Sequence, residues 1–200
     1  MMNSNSQSRI MIAILLSVSL LATGCSAQWI SVALADLPVL VQMALNIGTL
    51  VTTLQSGKQL SSAEAAAIQN ISTEASKDLN LLQTVYNQYK ASPSGAGLQE
   101  IQNVISDINQ NLPAVLQAAH ISNPILSARV TAAVNLILTT VASFAALIPQ
   151  TGARPMAQKI SAQTTTVPHA ADLKKQWNQQ VCRPTGNAGF DSAFKGCVVR

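Results

Sequence analysis

Apolar residues recur along this chain at the spacing of an α-helix, and they mark three helical faces. One face consists of Leu98, Ile101, Ile105, Ile108, Leu112 and Val115, whose steps of three and four residues match the seam of a helical bundle. The other two consist of Ile68, Ile71, Ala75, Leu79, Leu82, Val85, Tyr86 and Tyr89, and of Leu126, Val130, Ala133, Ile137, Val141, Phe144 and Ile148. With a first helix before them, they predict an all-α fold, and the short connections favour a four-helix bundle of up-down-up-down topology.

Capping residues predict the ends of the first two helices. The first helix is expected to begin at Leu37 and Pro38, because proline fits the first helical position and the carboxylate of Asp36 favours the positive end of a helix. It is expected to run to about Leu54. The second helix opens with the capping box Ser61-Ser62-Ala63-Glu64. In this motif the serine hydroxyl accepts from the backbone N–H of the glutamate, and the glutamate carboxylate accepts from the backbone N–H of the serine.

Prolines and glycines mark the limits of the third and fourth helices. The stretch Ala91–Gly97 contains one proline and two glycines and is expected to form a loop. Pro113 is expected to kink the third helix or to end its regular part near Asn111, because the ring removes a backbone donor and clashes with the preceding turn. Asn123 and Pro124 then provide the cap and the first turn of the fourth helix.

The fourth helix has a composition that also suits a membrane. From Val130 to Ile148 it carries no charged residue. Asn135, Thr139 and Ser143 lie near its centre, and its length is at the lower limit for a transmembrane helix, so a buried bundle helix is the favoured interpretation. Insertion into lipid is the alternative, and it applies equally to the first helix, which is uncharged from Leu37 to Gly57.

Residues 1–25 have the pattern of a processing segment. A polar start containing Arg9 precedes the apolar run Ile10–Leu21, which at twelve residues is shorter than the roughly 20 that a membrane span needs. The small residues Ala22, Thr23 and Gly24 then precede Cys25. One interpretation is an ordinary cleaved signal peptide followed by an incidental cysteine.

The segment Leu21–Cys25 resembles the lipobox of bacterial lipoproteins, whose common form is leucine, a small residue, glycine or alanine, and cysteine. Ala22 stands at the position that leucine usually takes. The resemblance implies cleavage before Cys25, a diacylglycerol on its thiol and an acyl chain on the new amino group, so membrane lipid is the first expected partner. In enterobacterial lipoproteins an Asp after the cysteine retains the protein at the inner membrane, and Ser26 therefore favours the periplasmic face of the outer membrane.

The residues after Cys25 are unusually apolar for the tether of a lipoprotein. They include Trp29 and Ile30, and we expect this leader to be membrane-proximal, with the Trp29 ring at the level of the headgroups. Packing of Trp29 into the bundle is the alternative. The expected organisation is a signal peptide at 1–24, a leader at 25–36, a bundle at 37–150 and a basic C-terminal extension at 151–200.

The extension contains the two remaining cysteines. Cys182 and Cys197 lie fifteen positions apart, and in an oxidising compartment they are expected to form a disulfide, with two free thiols as the alternative. Before them, Pro168 to Val181 predicts a short helix whose Trp177 docks on the bundle. The loop 182–197 is rich in glycine and predicts a turn-rich knob without a core of its own.

Charge is distributed unevenly along the chain. From Cys25 to Gln150 there are four basic and six acidic residues, whereas from Thr151 to Arg200 there are seven basic and two acidic residues. The basic extension suits contact with anionic lipid headgroups, or a solvated face. Nucleic acid is not expected as a partner, because the export signal separates the chain from it.

The sequence contains no motif for catalysis, cofactor binding or metal binding above background. His120 and His169 are the only histidines, too few for a multi-histidine metal centre. His120 suits the end of the third helix, where a cation is favourable. No serine lies in a Gly-x-Ser-x-Gly elbow and no glycine-rich phosphate loop is present. We therefore expect neither an enzyme nor a cofactor.

The expected function is a non-catalytic binding or scaffolding module of the cell envelope, with an envelope protein as its partner. Two alternatives remain open. A membrane-active protein of the pore-forming or entry-blocking type would insert its first and fourth helices into lipid. A carrier would hold a small apolar ligand between its helices.

Overall fold

The computed structural model describes residues 27–57, 60–148 and 167–199. Within these ranges the chain forms helices and no strand: α1 Ala27–Ser56, α2 Ser62–Ala91, α3 Gly95–Ala118, α4 Pro124–Leu147, α5 Ala170–Gln180 and α6 Ala188–Lys195. The predicted all-α fold is confirmed.

The first four helices form the predicted up-down-up-down bundle. Each packs on the next, and α4 packs back on α1. The hydroxyl of Ser72 in α2 donates to the backbone carbonyl of Ala44 in α1 at 2.7 Å, and the Trp29 ring contacts Tyr86 near the end of α2. These two helices are therefore antiparallel. We call the end of the bundle where α1 begins the near end, and the opposite end the far end.

α1 is the central helix of the molecule. It packs against α2, α4, α5 and α6. The side chains of Leu37, Leu40, Met43, Ala44 and Ile47 are fully buried. Coverage from several sides explains why so many apolar side chains of this helix are buried, although a strip that includes Leu45 remains exposed.

The predicted caps of α2 and α4 are confirmed. The Ser61 hydroxyl accepts from the backbone N–H of Glu64 at 3.2 Å, and the Glu64 carboxylate accepts from the backbone N–H of Ser61 at 3.2 Å. The Asn123 side chain caps the start of α4. Glu64 also accepts from the backbone N–H of Ser122 at 2.9 Å, so one carboxylate joins the start of α2 to the loop before α4.

The predicted start of the first helix is wrong. α1 begins at Ala27, ten residues before Leu37, and Pro38 lies inside it. The reason is burial: Ile30 and Ala33 continue the core-facing side of the helix and are 2% and 0% exposed. Burying these residues outweighs the one backbone hydrogen bond that proline cannot donate. Residues 27–36 are therefore part of the bundle and do not form a separate leader.

Three further boundaries differ from the prediction. α3 begins at Gly95, within the predicted loop, because the Ser94 hydroxyl accepts from the backbone N–H of Gly97 and caps the helix. It continues past Pro113 to Ala118, since Leu112 is buried and the side chains beyond it pack against the core. The disulfide loop contains α6, whose Phe190 and two further side chains are buried. This loop therefore has an apolar contact of its own with the molecule.

The α1–α2 contact is closest at Gly48. A Cβ atom at this position would lie 2.8 Å from the Ser72 Oγ, which is held by its hydrogen bond to Ala44. Gly48→Ala gains about 1 kcal/mol of helix propensity. It also crowds the contact and breaks a buried hydrogen bond, at a combined cost of about 2–4 kcal/mol. We expect Gly48→Ala to lower the free energy of unfolding by about 1–3 kcal/mol, measured by urea denaturation followed by circular dichroism.

The same substitution in a Ser72→Ala background is the control. Without the hydroxyl the shortest contact is removed, and the remaining neighbour, the Gln69 amide at 3.2–3.3 Å, is the end of an exposed side chain that can move. In this background Gly48→Ala is therefore expected to be neutral or stabilising. An equal effect of Gly48→Ala in both backgrounds would contradict this account of the contact.

Candidate functional site

The near end of the bundle holds the residues that were predicted to be membrane-proximal. Trp29 and Ile30 are only 8% and 2% exposed. The Trp29 ring lies 5.6 Å from the ring of Tyr86 and 6.0 Å from that of Tyr89, measured between centroids. The Trp29 ring therefore packs into the bundle, which was the alternative to a position among lipid headgroups. That Trp29 and Ile30 lie close to a membrane stays a prediction. Cys25 lies outside the described residues.

Two buried polar groups of this aromatic cluster have no hydrogen-bond partner within the described part of the chain. They are the indole N–H of Trp29 and the hydroxyl of Tyr86. Burial raises the pKa of the Tyr86 hydroxyl, so it remains a protonated donor. The near end of the core thus contains two unpaired donors beside aromatic rings.

Residues 167–199 form a C-terminal unit that covers one side of the bundle. α5 packs on α1 and α4, and α6 packs on α1. The predicted docking of Trp177 is confirmed, since its side chain is fully buried. The predicted disulfide between Cys182 and Cys197 is also confirmed, with a Cα–Cα distance of 5.8 Å.

Polar contacts join the C-terminal unit to the bundle. The carbonyl oxygen of Cys197 accepts from the indole N–H of Trp177 at 2.8 Å and from the amide of Asn46 in α1 at 3.2 Å. Arg129 of α4 donates to the carbonyls of Gln180 and Arg183 at the end of α5, where a cation is favourable. The unit is therefore attached to two helices of the bundle by hydrogen bonds as well as by apolar contact.

Asp36 is the buried acid of this contact. Its side chain is 2% exposed, and its carboxylate accepts from the backbone N–H of Ala170 at the start of α5. Burial raises the pKa of Asp36, while the bond to Ala170 and the nearby His169 lower it in part. His169 makes no side-chain cap for α5. Asp36 therefore supplies from α1 the acceptor that the first turn of α5 lacks.

An open groove lies between the far halves of α3 and α4. Its volume is about 370 Å³, within the range of ligand sites. Half of its lining is apolar and half carries amides or hydroxyls, and no charged side chain belongs to it; the lining residues are Pro113, Leu116, Gln117, Ile121, Ser127, Thr131, Asn135 and Leu138. We call this the α3–α4 groove.

The groove arises from the face that α4 turns to α3. Ser127, Thr131 and Asn135 follow one another at intervals of four residues on that face, and such short polar side chains do not fill the space between two helices. Within the described residues, their side chains and that of Gln117 make no hydrogen bond to the protein. The groove thus presents unpaired donors and acceptors beside apolar side chains, a combination that suits an uncharged partner surface or ligand.

A second cavity of about 360 Å³ lies beside the disulfide, between Cys182 and Lys195. Asp191 lines it, and its carboxylate accepts from the backbone N–H and hydroxyl of Thr185 and from the backbone N–H of Gly186. These hydrogen bonds lower the pKa of Asp191. Its acceptor oxygens are therefore already engaged in holding the loop before α6.

The described residues contain no group of three or more His, Cys, Asp or Glu side chains able to hold a metal ion. His120 follows Ala119, the C-cap of α3, with a φ of 41°, the left-handed conformation that ends many helices. α1 from Trp29 to Ser56 and α4 are long and apolar enough to cross a membrane, and half of the most apolar stretch of each is buried.

No protein-family model, no curated protein and no solved structure matches the chain.

Asp36 predicts a pH dependence of folding stability. Because its pKa is raised in the folded state, ionisation opposes folding: stability is highest below the ordinary pKa of a carboxyl group, decreases as the pH rises from there through the raised pKa, and levels off above it. Asparagine keeps an acceptor for Ala170 but does not ionise. We expect Asp36→Asn to be more stable than the wild type at neutral pH. The difference in stability should shrink as the pH falls towards the ordinary pKa of a carboxyl group. Thermal unfolding across this pH range checks it, and a variant that is less stable at neutral pH would contradict it.

Proposed function

We propose that this protein is a lipid-anchored protein of the bacterial cell envelope, held by acylated Cys25 at the periplasmic face of the outer membrane. The resemblance of Leu21–Cys25 to a lipobox supports the anchor. If Cys25 is acylated, the start of α1 at Ala27 keeps the bundle near the membrane, because two residues span about 7 Å at most. The first turn of α1 would then lie close to the bilayer that holds the acyl chains.

At that membrane the protein acts by binding another molecule and not by catalysis. The observation that carries this proposal is the α3–α4 groove, which is uncharged and lined by the unpaired groups of Gln117, Ser127, Thr131 and Asn135. An uncharged patch of an envelope protein fits it best, because amides and hydroxyls pair with backbone and side-chain groups while Leu116 contributes apolar contact. A small uncharged ligand in the same groove is the second candidate, supported by the groove volume.

Insertion of α1 and α4 into lipid is the competing function. The length and apolar character of both helices favour it. Their burial opposes it, because insertion would have to separate α1 from α2, α4 and the C-terminal unit. Release of a dye from loaded vesicles by protein without its acyl chains would favour insertion, and absence of release at micromolar protein would favour the folded bundle as the active form.

The anchor predicts that Cys25 carries the acyl chains. We expect radiolabelled palmitate to enter the wild-type protein and not Cys25→Ala, and we expect the wild type to fractionate with the outer membrane. A Cys25→Ala variant that still takes up label and remains membrane-bound would contradict the anchor. Labelled protein found in the inner membrane would contradict only the proposed location.

The groove predicts where a partner binds. A photo-reactive amino acid at Asn135 in the groove is expected to form a light-dependent adduct with an envelope protein in intact cells. The same amino acid at Asn80, an exposed asparagine of α2 outside the groove, is the matched control and should form none. Thr131→Trp fills the groove and should reduce the adduct at Asn135. Equal adducts at both positions, or none at Asn135, would count against the groove as the binding surface.

A further inference from the structure

Acidic and basic side chains lie on opposite sides of the folded molecule. Within the described residues, α2 and α3 hold five acidic side chains and two basic ones: Glu64, Glu74, Asp78, Glu100 and Asp107, with Lys77 and Lys90. The C-terminal unit holds four basic side chains and two acidic ones: Lys174, Lys175, Arg183 and Lys195, with Asp172 and Asp191. Because this unit packs on α1 and α4, it covers the side of the bundle opposite the α2–α3 pair.

The basic side chains of the unit differ in how accessible they are. Lys175 and Arg183 are exposed, and Lys175 lies on the helix face opposite the buried Leu173 and Trp177. Lys195 is exposed too, but it faces Asp191 one turn away in α6, which offsets part of its charge. Lys175 and Arg183 are therefore the cations on which an interaction with an anionic surface would depend most.

The position of these cations along the bundle restricts how they meet a membrane. α5 begins beside Asp36, nine residues into α1, so its start lies about 14 Å along the bundle from Ala27. α5 runs in the same direction as α1, because its start lies beside Asp36 while Trp177, near its end, binds the same Cys197 carbonyl as Asn46. Lys175 therefore lies further from the near end than the start of α5 does. If the bundle stood on its near end, Lys175 would be about 20 Å from the bilayer, beyond the screening length of about 8–10 Å. If the bundle lay on its C-terminal unit, Lys175 would touch the surface.

We propose that the outer side of the C-terminal unit is a docking face for an anionic lipid bilayer, with Lys175 and Arg183 against lipid phosphates and the α2–α3 pair facing away. This inference rests on the proposed function only in assuming that a membrane lies next to the protein. The charge separation is its direct support: a surface of negative lipids attracts the basic side and repels the acidic side, which sets one orientation. The α3–α4 groove would remain accessible from the side.

The test uses the chain from residue 25 onward with Cys25→Ser, which contains every described residue and carries no acyl chain. Co-sedimentation with vesicles of phosphatidylcholine, with and without phosphatidylglycerol, measures the partition coefficient. We expect binding only to vesicles with phosphatidylglycerol, and loss of that binding in about 1 M salt, where charges are screened within about 3 Å. Lys175→Gln with Arg183→Gln should reduce the partition coefficient about 25-fold, from about 1 kcal/mol for each basic residue.

The matched control is Lys77→Gln with Lys90→Gln in α2. Both of its residues are exposed, and it changes the net charge by the same amount, so it should leave binding within about two-fold of the parent if position matters as proposed. Unfolding curves for both pairs establish that the fold is retained. Equal losses in the two pairs, equal binding to neutral vesicles, or dye release on binding would each overturn the docking face. Because no acyl chain is present, these outcomes are independent of the palmitate result for Cys25.

Discussion

The packing of α2, α4, α5 and α6 against α1 removes from water the apolar side chains on the core-facing side of this helix. Fully burying an aliphatic side chain contributes about 1.5–3 kcal/mol to stability. The many buried side chains of α1 therefore make the largest contribution to holding this helix in place. Two polar side chains of α1 bind the backbone of the C-terminal unit: the amide of Asn46 binds the carbonyl of Cys197, and the carboxylate of Asp36 accepts from the N–H of Ala170. In this way the unit is attached to the central helix.

The parts of the fold that local chemistry determines were predictable from the sequence. The capping box at Ser61, the cap at Asn123 and the Cys182–Cys197 pair all appear in the structure as expected. The start of α1 was not predicted, because Pro38 resembles a helix start and only the packing of Ile30 and Ala33 against other helices overrides it. The sequence did contain a signal for the earlier start, because Ile30 and Ala33 continue the helical spacing of the core-facing residues of α1.

The candidate site was less predictable than the fold. α6 was not predicted, because its loop is rich in glycine. The signals for it were present in the sequence: Asn187 can cap a helix, and Phe190 and Phe194 are four residues apart. The α3–α4 groove depends on how two helices are separated in space, which no local pattern encodes. Arg129 and Asp36 act on carbonyls and N–H groups far away in the chain, so their roles required the tertiary structure.

The hydrogen bond from Asn46 to the carbonyl of Cys197 joins residues 151 positions apart. A chain is synthesised from its amino end, so α1 exists long before the residues that cover one of its sides. Contacts of such large sequence separation form late and leave apolar surface exposed in the interval. The core-facing side of α1 is thus made before the residues of the C-terminal unit that cover part of it, and that part stays open to water until those residues have been added.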